Sequence, residues 1–113
     1  MTDTDWLSQV KRGLLELCIL NLVSHEAMYG YQIVKRLASV PSLVITTGTI
    51  YPLLSRLKQD GYLTSTLVES TQGPARRAYT LTTSGRKHVL RLNEAWQGTV
   101  ASVNEFVALN RST

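Results

Sequence analysis

The tightest constraint on the fold is that the apolar rhythm of the chain changes twice, near residues 62 and 82. Before residue 62, apolar side chains recur mostly every three or four positions, as on helix faces. From 62 to 82 the pattern is that of extended chain, and beyond it the helical spacing returns. The order this allows is several helices, a hairpin, then one long helix.

Leu7, Val10, Leu14, Leu15, Cys18, Ile19 and Leu22 set a first helix over 5–23. Leu17, Leu20 and Val23 widen its stripe until little of the circumference is polar, which predicts burial on several sides. SHEAMYG (24–30) reads as a short connection. A second helix over 31–39 turns Ile33, Val34 and Leu37 inward and Lys35 and Arg36 outward, and Pro41 ends it. SLVI (42–45) is expected as a very short strand.

TTGTIYPLLSRLKQDGYL (46–63) holds the third helix, with Thr46 or Thr47 as N-cap and Ile50, Leu53, Leu54 and Leu57 inward. Pro52 is expected in or near the first turn, where its missing N–H matters least, and Gly61 in the left-handed position after the last. YLTSTLVES (62–70) and ARRAYTLT (75–82) read as strands joined through TQGP, a Gly-Pro turn signal. Tyr79 and Leu81 share one face of the second strand. Thr82 or Thr83 can then cap a helix reaching about residue 110. The fold class is mainly α (α+β), and 113 residues suit one domain with a small core.

Several classes are excluded by what the chain lacks. No run of roughly 18 apolar residues can span a bilayer, and the N-terminus is acidic where a secretion signal is basic. Cys18 is the only cysteine, so no internal disulfide forms and thiol-ligated zinc is not expected. There is no phosphate-cradling glycine loop and no clustering of His25 or His88 with carboxylates, so neither enzyme chemistry, a cofactor nor a metal is expected. These features predict a cytoplasmic protein. Net charge is +4, but residues 11–91 alone carry +7, flanked by −2 over 1–10 and −1 over 92–113. A basic body points to a polyanionic partner.

The outward face of the third helix narrows the choice. Thr49, Tyr51, Pro52, Ser55 and Arg56 are compact or hydrogen-bonding groups where a merely solvated helix carries Glu and Lys. Two short helices, the second with such a face, resemble a helix-turn-helix, whose second helix enters a major groove about 12 Å wide. Arg76 and Arg77, directly after the Gly-Pro turn, place two cations at the tip of a hairpin beside that helix, as a wing does. Tyr31 and Lys35 at the start of the second helix are the expected phosphate clamps. The rival reading is a winged helix used for protein contact.

In the last helix Val89, Leu92, Val100, Val103 and Val107 lie within about 40° of Trp96 on a helical wheel. This seam fits a second copy of the chain, with Leu7 and Trp6 of the first helix completing the interface. Trp96, in mid-seam, reads from its spacing as a large residue filling the dimer core. Gly98 points away from the seam and lowers helix stability.

GYQIVKRL (30–37), the run GTIYPLLSRL–x–x–DGYL, and GPARRAYTLTTSGRKHVL (73–90) together resemble the PadR family of winged-helix transcriptional regulators, in its short form with one C-terminal helix. The resemblance covers nearly the whole chain. It implies a winged helix-turn-helix over 1–82 and a dimerisation helix over 83–113. It also implies a homodimeric repressor of a palindromic operator on double-stranded DNA, released by a small molecule. The DNA-facing set is then Tyr31, Lys35, Thr47, Thr49, Tyr51, Pro52, Ser55, Arg56, Gly73, Arg76 and Arg77. By similarity to multidrug-sensing members, Trp96, with Leu92 and Val100, would contact a small planar aromatic effector. Ala75 and Ala78 leave the wing with fewer polar groups than many relatives show.

Overall fold

A computed structural model describes residues 3–40 and 47–111, apart from the side chains of residues 3–5, 7 and 47. The expectations for Leu7 as an interface residue, for a Thr46 or Thr47 cap, for Pro41 as a stop and for a strand over 42–45 lie outside the described residues. The rest of the chain follows the expected order with one addition. The wide first stripe becomes α1 (Asp3–His25), on which Leu15, Ile19, Leu20 and Val23 are buried. Polar residues extend it past both ends of its apolar rhythm.

The segment read as a plain connection contains a strand, β1 (Met28–Tyr29), followed at once by α2 (Gly30–Ala38). Gln32 closes the start of α2 by accepting the Tyr29 N–H on Oε1 at 2.9 Å. Ile33 and Leu37, four apart, carry its buried face. The next helix is α3 (Thr47–Gln59). The hairpin is β2 (Leu63–Val68) and β3 (Arg76–Leu81), both shorter than their extended patterns, and α4 (Thr83–Arg111) ends the chain. The three strands form one antiparallel sheet in the order β1-β3-β2, with Met28 opposite Tyr79 and Leu63 opposite Leu81.

One core serves all these elements. Ile19, Leu20, Ile33, Ile50, Leu54, Leu57 and Leu63 are fully buried, and Leu81 and Val89 close it from β3 and α4. This packing sets the outward face of α3, because Ile50, Leu54 and Leu57 fix which side of the helix is in.

The join between α3 and α4 is tightly built. Gly61 adopts φ +86°, the left-handed region. There the Tyr62 N–H reaches the Leu57 carbonyl at 3.0 Å and the Gly61 N–H the Lys58 carbonyl at 3.1 Å, a Schellman closure. Thr82 caps α4, as expected, accepting the Gly85 N–H on Oγ1 at 2.9 Å. The same hydroxyl donates to the Gly61 carbonyl at 2.6 Å, and the Thr82 N–H donates to the Tyr62 carbonyl at 3.1 Å. A Cβ built on Gly85 would overlap that Tyr62 carbonyl oxygen, so only glycine lets α4 sit this close. The His88 ring then stacks on Tyr62, centroids 3.9 Å apart and 7° from parallel. The end of α3 and the start of α4 form one unit.

Candidate nucleic-acid interface

Opposite the buried side of α3 lie Gly48, Pro52, Ser55 and Gln59, with Thr49 and Arg56 on one flank and Tyr51 and Lys58 on the other. All eight are exposed. Pro52 falls in the second turn rather than the first, because the helix already starts at Thr47. It therefore cannot donate to the Gly48 carbonyl four residues back. Gly48 and Gln59 were not singled out in the sequence, although their spacing from Pro52 and Ser55 was there to read.

The two cationic flanks differ. Arg56 turns towards α1, its Nη2 donating to Glu16 Oε1 at 3.3 Å and its Nε lying 3.9 Å from Asp60 Oδ2. A phosphate must draw it off those carboxylates. Its side chain is 56% exposed, so the pairing is weak and the exchange feasible. His88 Nε2 lies 3.8 Å from the same Glu16 oxygen without a hydrogen bond, so α1, α3 and α4 meet there. On the other flank Lys58 Nζ donates to Ser65 Oγ at 2.8 Å, and Arg77 Nη1 to the same hydroxyl at 3.4 Å. One serine thereby orients two cations beside α3.

Arg76 is not at the hairpin tip. Residues 69–75 form the tip, with Gly73 exposed in it, and Arg76 pairs with Val68 where β3 begins. Its guanidinium sits 4.9 Å from the centroid of Tyr31 and 5.9 Å from that of Tyr29, and Nη1 donates to Tyr31 Oη at 3.1 Å. The two tyrosine rings stack on each other, 5.9 Å apart. Each cation–π contact at such an exposed site contributes about 0.5–1 kcal/mol. Tyr51 leans across from α3 onto Gly30, where an added Cβ would lie 2.8 Å from its Cε1. With Arg77 and Tyr79 these side chains line a cleft of about 670 Å³ between α2, α3 and β3. Two guanidinium groups and phenolic hydroxyls are donors suited to phosphate oxygens.

The structure thus brings Tyr31, Tyr51, Arg76 and Arg77 into one cleft, with Lys35 exposed one turn further along α2. Tyr29 and Tyr79, the other cleft walls, were missed; the only local signal was the Y-G-Y run at 29–31.

The C-terminal seam divides into two parts. Val89 is 3% exposed within the chain's own core and Leu92 packs against that core, so neither waits for a second copy to bury it. Val100 is half-buried, whereas Trp96, Val103 and Val107 are exposed, as are Phe106 and Leu109, which the wheel placed off the seam. Trp96 borders a second cavity together with Asn93 and Gln97, and Leu92 and Val100 are not among its walls. Cys18 is half-buried, and burial raises its thiol pKa, which leaves it the poor nucleophile its place in the stripe implies. Nothing lies within 4 Å of a Cβ placed on Gly98, and no structural reason for that glycine emerges. Among the described residues no group of three or more His, Cys, Asp or Glu could hold a metal, and no helix is long and apolar enough to cross a membrane.

Residues 19–91 match the profile of the transcriptional regulator PadR-like family. Among solved structures, a PadR-like transcription factor from Bacteroides fragilis is 40% identical, with 88% of this chain and 95% of that one covered and a TM-score of 0.75. A PadR-like transcriptional regulator from Bacillus cereus is 32% identical over 88% and 96% of the two chains, at a TM-score of 0.79. A PadR family transcriptional regulator from Eggerthella lenta is 27% identical over 92% and 90%, at 0.80.

Proposed function

The chain belongs to the PadR-like family of transcriptional regulators, and from that premise we propose that it is a homodimeric repressor which leaves a palindromic operator when a small planar aromatic effector binds. Residues 1–82 read the DNA and residues 83–113 join the two copies, in the cytoplasm where that DNA lies. The observation that carries the reading is the cleft itself. Arg76, braced on Tyr31 and Tyr29, stands beside the exposed face of α3 together with Arg77 and Lys58.

In this arrangement Gly48, Thr49, Pro52 and Ser55 approach base edges, since nothing bulky keeps the start of α3 from the groove floor. Tyr31, Lys35, Tyr51, Lys58, Arg76 and Arg77 hold the backbone on the cleft side of α3, while Gly73 lets the loop approach closely. Arg56 joins them once a phosphate competes with Glu16. Two copies present two such helices about one turn of DNA apart, roughly 34 Å. The join of Gly61, Tyr62, Thr82 and Gly85 makes α3 follow α4, so an effector that changes the packing near Trp96 changes the spacing of the two reading helices. That release requires the effector to favour the arrangement that does not fit DNA.

The test is the salt dependence of binding to DNA from the protein's own locus. Each phosphate contact contributes about −0.9 to the log–log slope. Arg76→Ala with Arg77→Ala should weaken binding and flatten the slope by about 1 to 2 units. An unchanged slope removes the cleft from DNA recognition, and binding insensitive to salt favours a winged helix used for protein contact.

A further inference from the structure

The exposed face of α3 is short of the side chains that read purines. In a major groove, guanine is read by Arg or Lys and adenine by Asn or Gln, each pair closing two bonds at once. Arg56 is the one guanidinium on α3, and it is engaged with Glu16 at 3.3 Å and Asp60 at 3.9 Å on the α1 flank. Lys58 is turned to the hairpin by Ser65 at 2.8 Å, and Tyr51 leans into the cleft onto Gly30. Gln59 is the last residue of the helix, about 10 Å beyond Pro52 at 1.5 Å per residue. Base edges are met by the start of such a helix, and there α3 presents Gly48, Thr49, Pro52 and Ser55, all exposed.

The chemistry of these four is narrow. Gly48 has no side chain, and Ser55 offers a single hydroxyl that suits any base. Pro52 offers a ring without a polar atom and Thr49 a methyl group. The base-edge group that such surfaces match is the C5-methyl of thymine. Thr49 and Pro52, three positions apart, are neighbours on the helix surface, with Cβ atoms about 5–6 Å from each other. That is less than two base-pair rises of about 3.4 Å, so both can meet methyl groups within one short run of base pairs.

We propose that α3 recognises its operator through thymine methyl groups, with Pro52 as the specificity-determining residue and Thr49 beside it, and not through purine edges. This rests on the DNA-binding reading above and names the base that the helix selects. Each half-site then carries thymine, on either strand, opposite Pro52 and Thr49.

The probe is a duplex selected from a random pool by the full-length protein, with each thymine replaced singly by deoxyuridine, which lacks only the methyl group. In each half-site at least one such replacement should weaken binding about threefold to fivefold, the effect of one buried methyl. Where that T·A pair is changed to C·G, 5-methylcytosine in place of the cytosine should recover about the same factor. Pro52→Ser removes the ring and returns the missing N–H to the helix, and it should cut the uracil penalty at one thymine to less than about twofold. Replacing guanine or adenine by its 7-deaza analogue, which lacks the N7 acceptor, should change binding by less than about twofold throughout. A duplex indifferent to uracil, or one that loses about tenfold with a 7-deaza purine, would overturn methyl recognition and leave the DNA-binding reading intact. So would a uracil penalty that Pro52→Ser leaves unchanged at every thymine, as far as Pro52 is concerned. A protein that retains no duplex from the pool would overturn both.

Discussion

At the scale of single residues, two glycines show how close approach is built into this chain. Gly85 lies where α4 crosses the Tyr62 carbonyl, and a methyl group there meets backbone that is itself fixed by the Gly61 turn. Gly30 faces the ring of Tyr51, a side chain that can swing away. The two substitutions should therefore separate. Gly85→Ala runs first into the Tyr62 backbone and should lower the unfolding free energy by about 3 kcal/mol, the upper end of overpacking effects, read from urea denaturation. A loss below about 0.5 kcal/mol, the level of an ordinary surface change, would mean that α4 can slide at its start. Neither glycine has a positive φ, so the reason for them lies wholly in what packs against them, and that is not written in the neighbouring residues.

At the scale of elements, the cap of α4 ties a local signal to a long-range one. Thr82 is legible as an N-cap because hydroxyl residues precede a helical pattern, but its second bond, to Gly61 21 residues earlier, is not. Thr82→Ala should accordingly cost about 1 kcal/mol for the cap and up to about 1 more for the Gly61 bond. Thr82→Ser, which keeps the oxygen, should restore most of it, and a melting series of the three proteins distinguishes these outcomes. The same division runs through the rest of the fold. Helices with several turns of apolar spacing, and the Gly61 stop, were legible because their causes are local. Strand β1 was not, because two residues have no period and Tyr29 is extended only by pairing with Ala78. The wheel found the apolar side of α4 but could not divide it. Val89 and Leu92 lie over the chain's own core, and the division falls between Leu92 and Trp96. In the candidate site, residue types were readable and partners were not. Arg76 and Tyr31 stand 45 positions apart and Arg56 and Glu16 40, distances at which no spacing rule operates.

At the scale of the whole molecule, the shape is lopsided. The chain measures 62 × 30 × 20 Å, and α4, with 29 residues, runs about 43 Å at 1.5 Å per residue. Every described residue from 101 onward is exposed, among them Val103, Phe106, Val107 and Leu109. A helix end that leaves several large apolar side chains in water has a face that needs something to pack on. The proposed homodimer supplies it, and the separation of this stretch from the core makes the proposal easy to test without damaging the reading head. Val103→Glu with Val107→Glu places two carboxylates on the seam while touching nothing in the chain's own core. The double variant should sediment as a monomer and keep the thermal transition of the winged part. Operator affinity should fall by about a hundredfold or more, because each half-site then binds without the effective concentration that the second copy provides. Binding to a single half-site should remain as in the parent chain. A variant that stays dimeric would move the interface to α1, where among the described residues Trp6 and Val10 are exposed apolar groups, and α4 would then no longer set the spacing of the two DNA-reading helices.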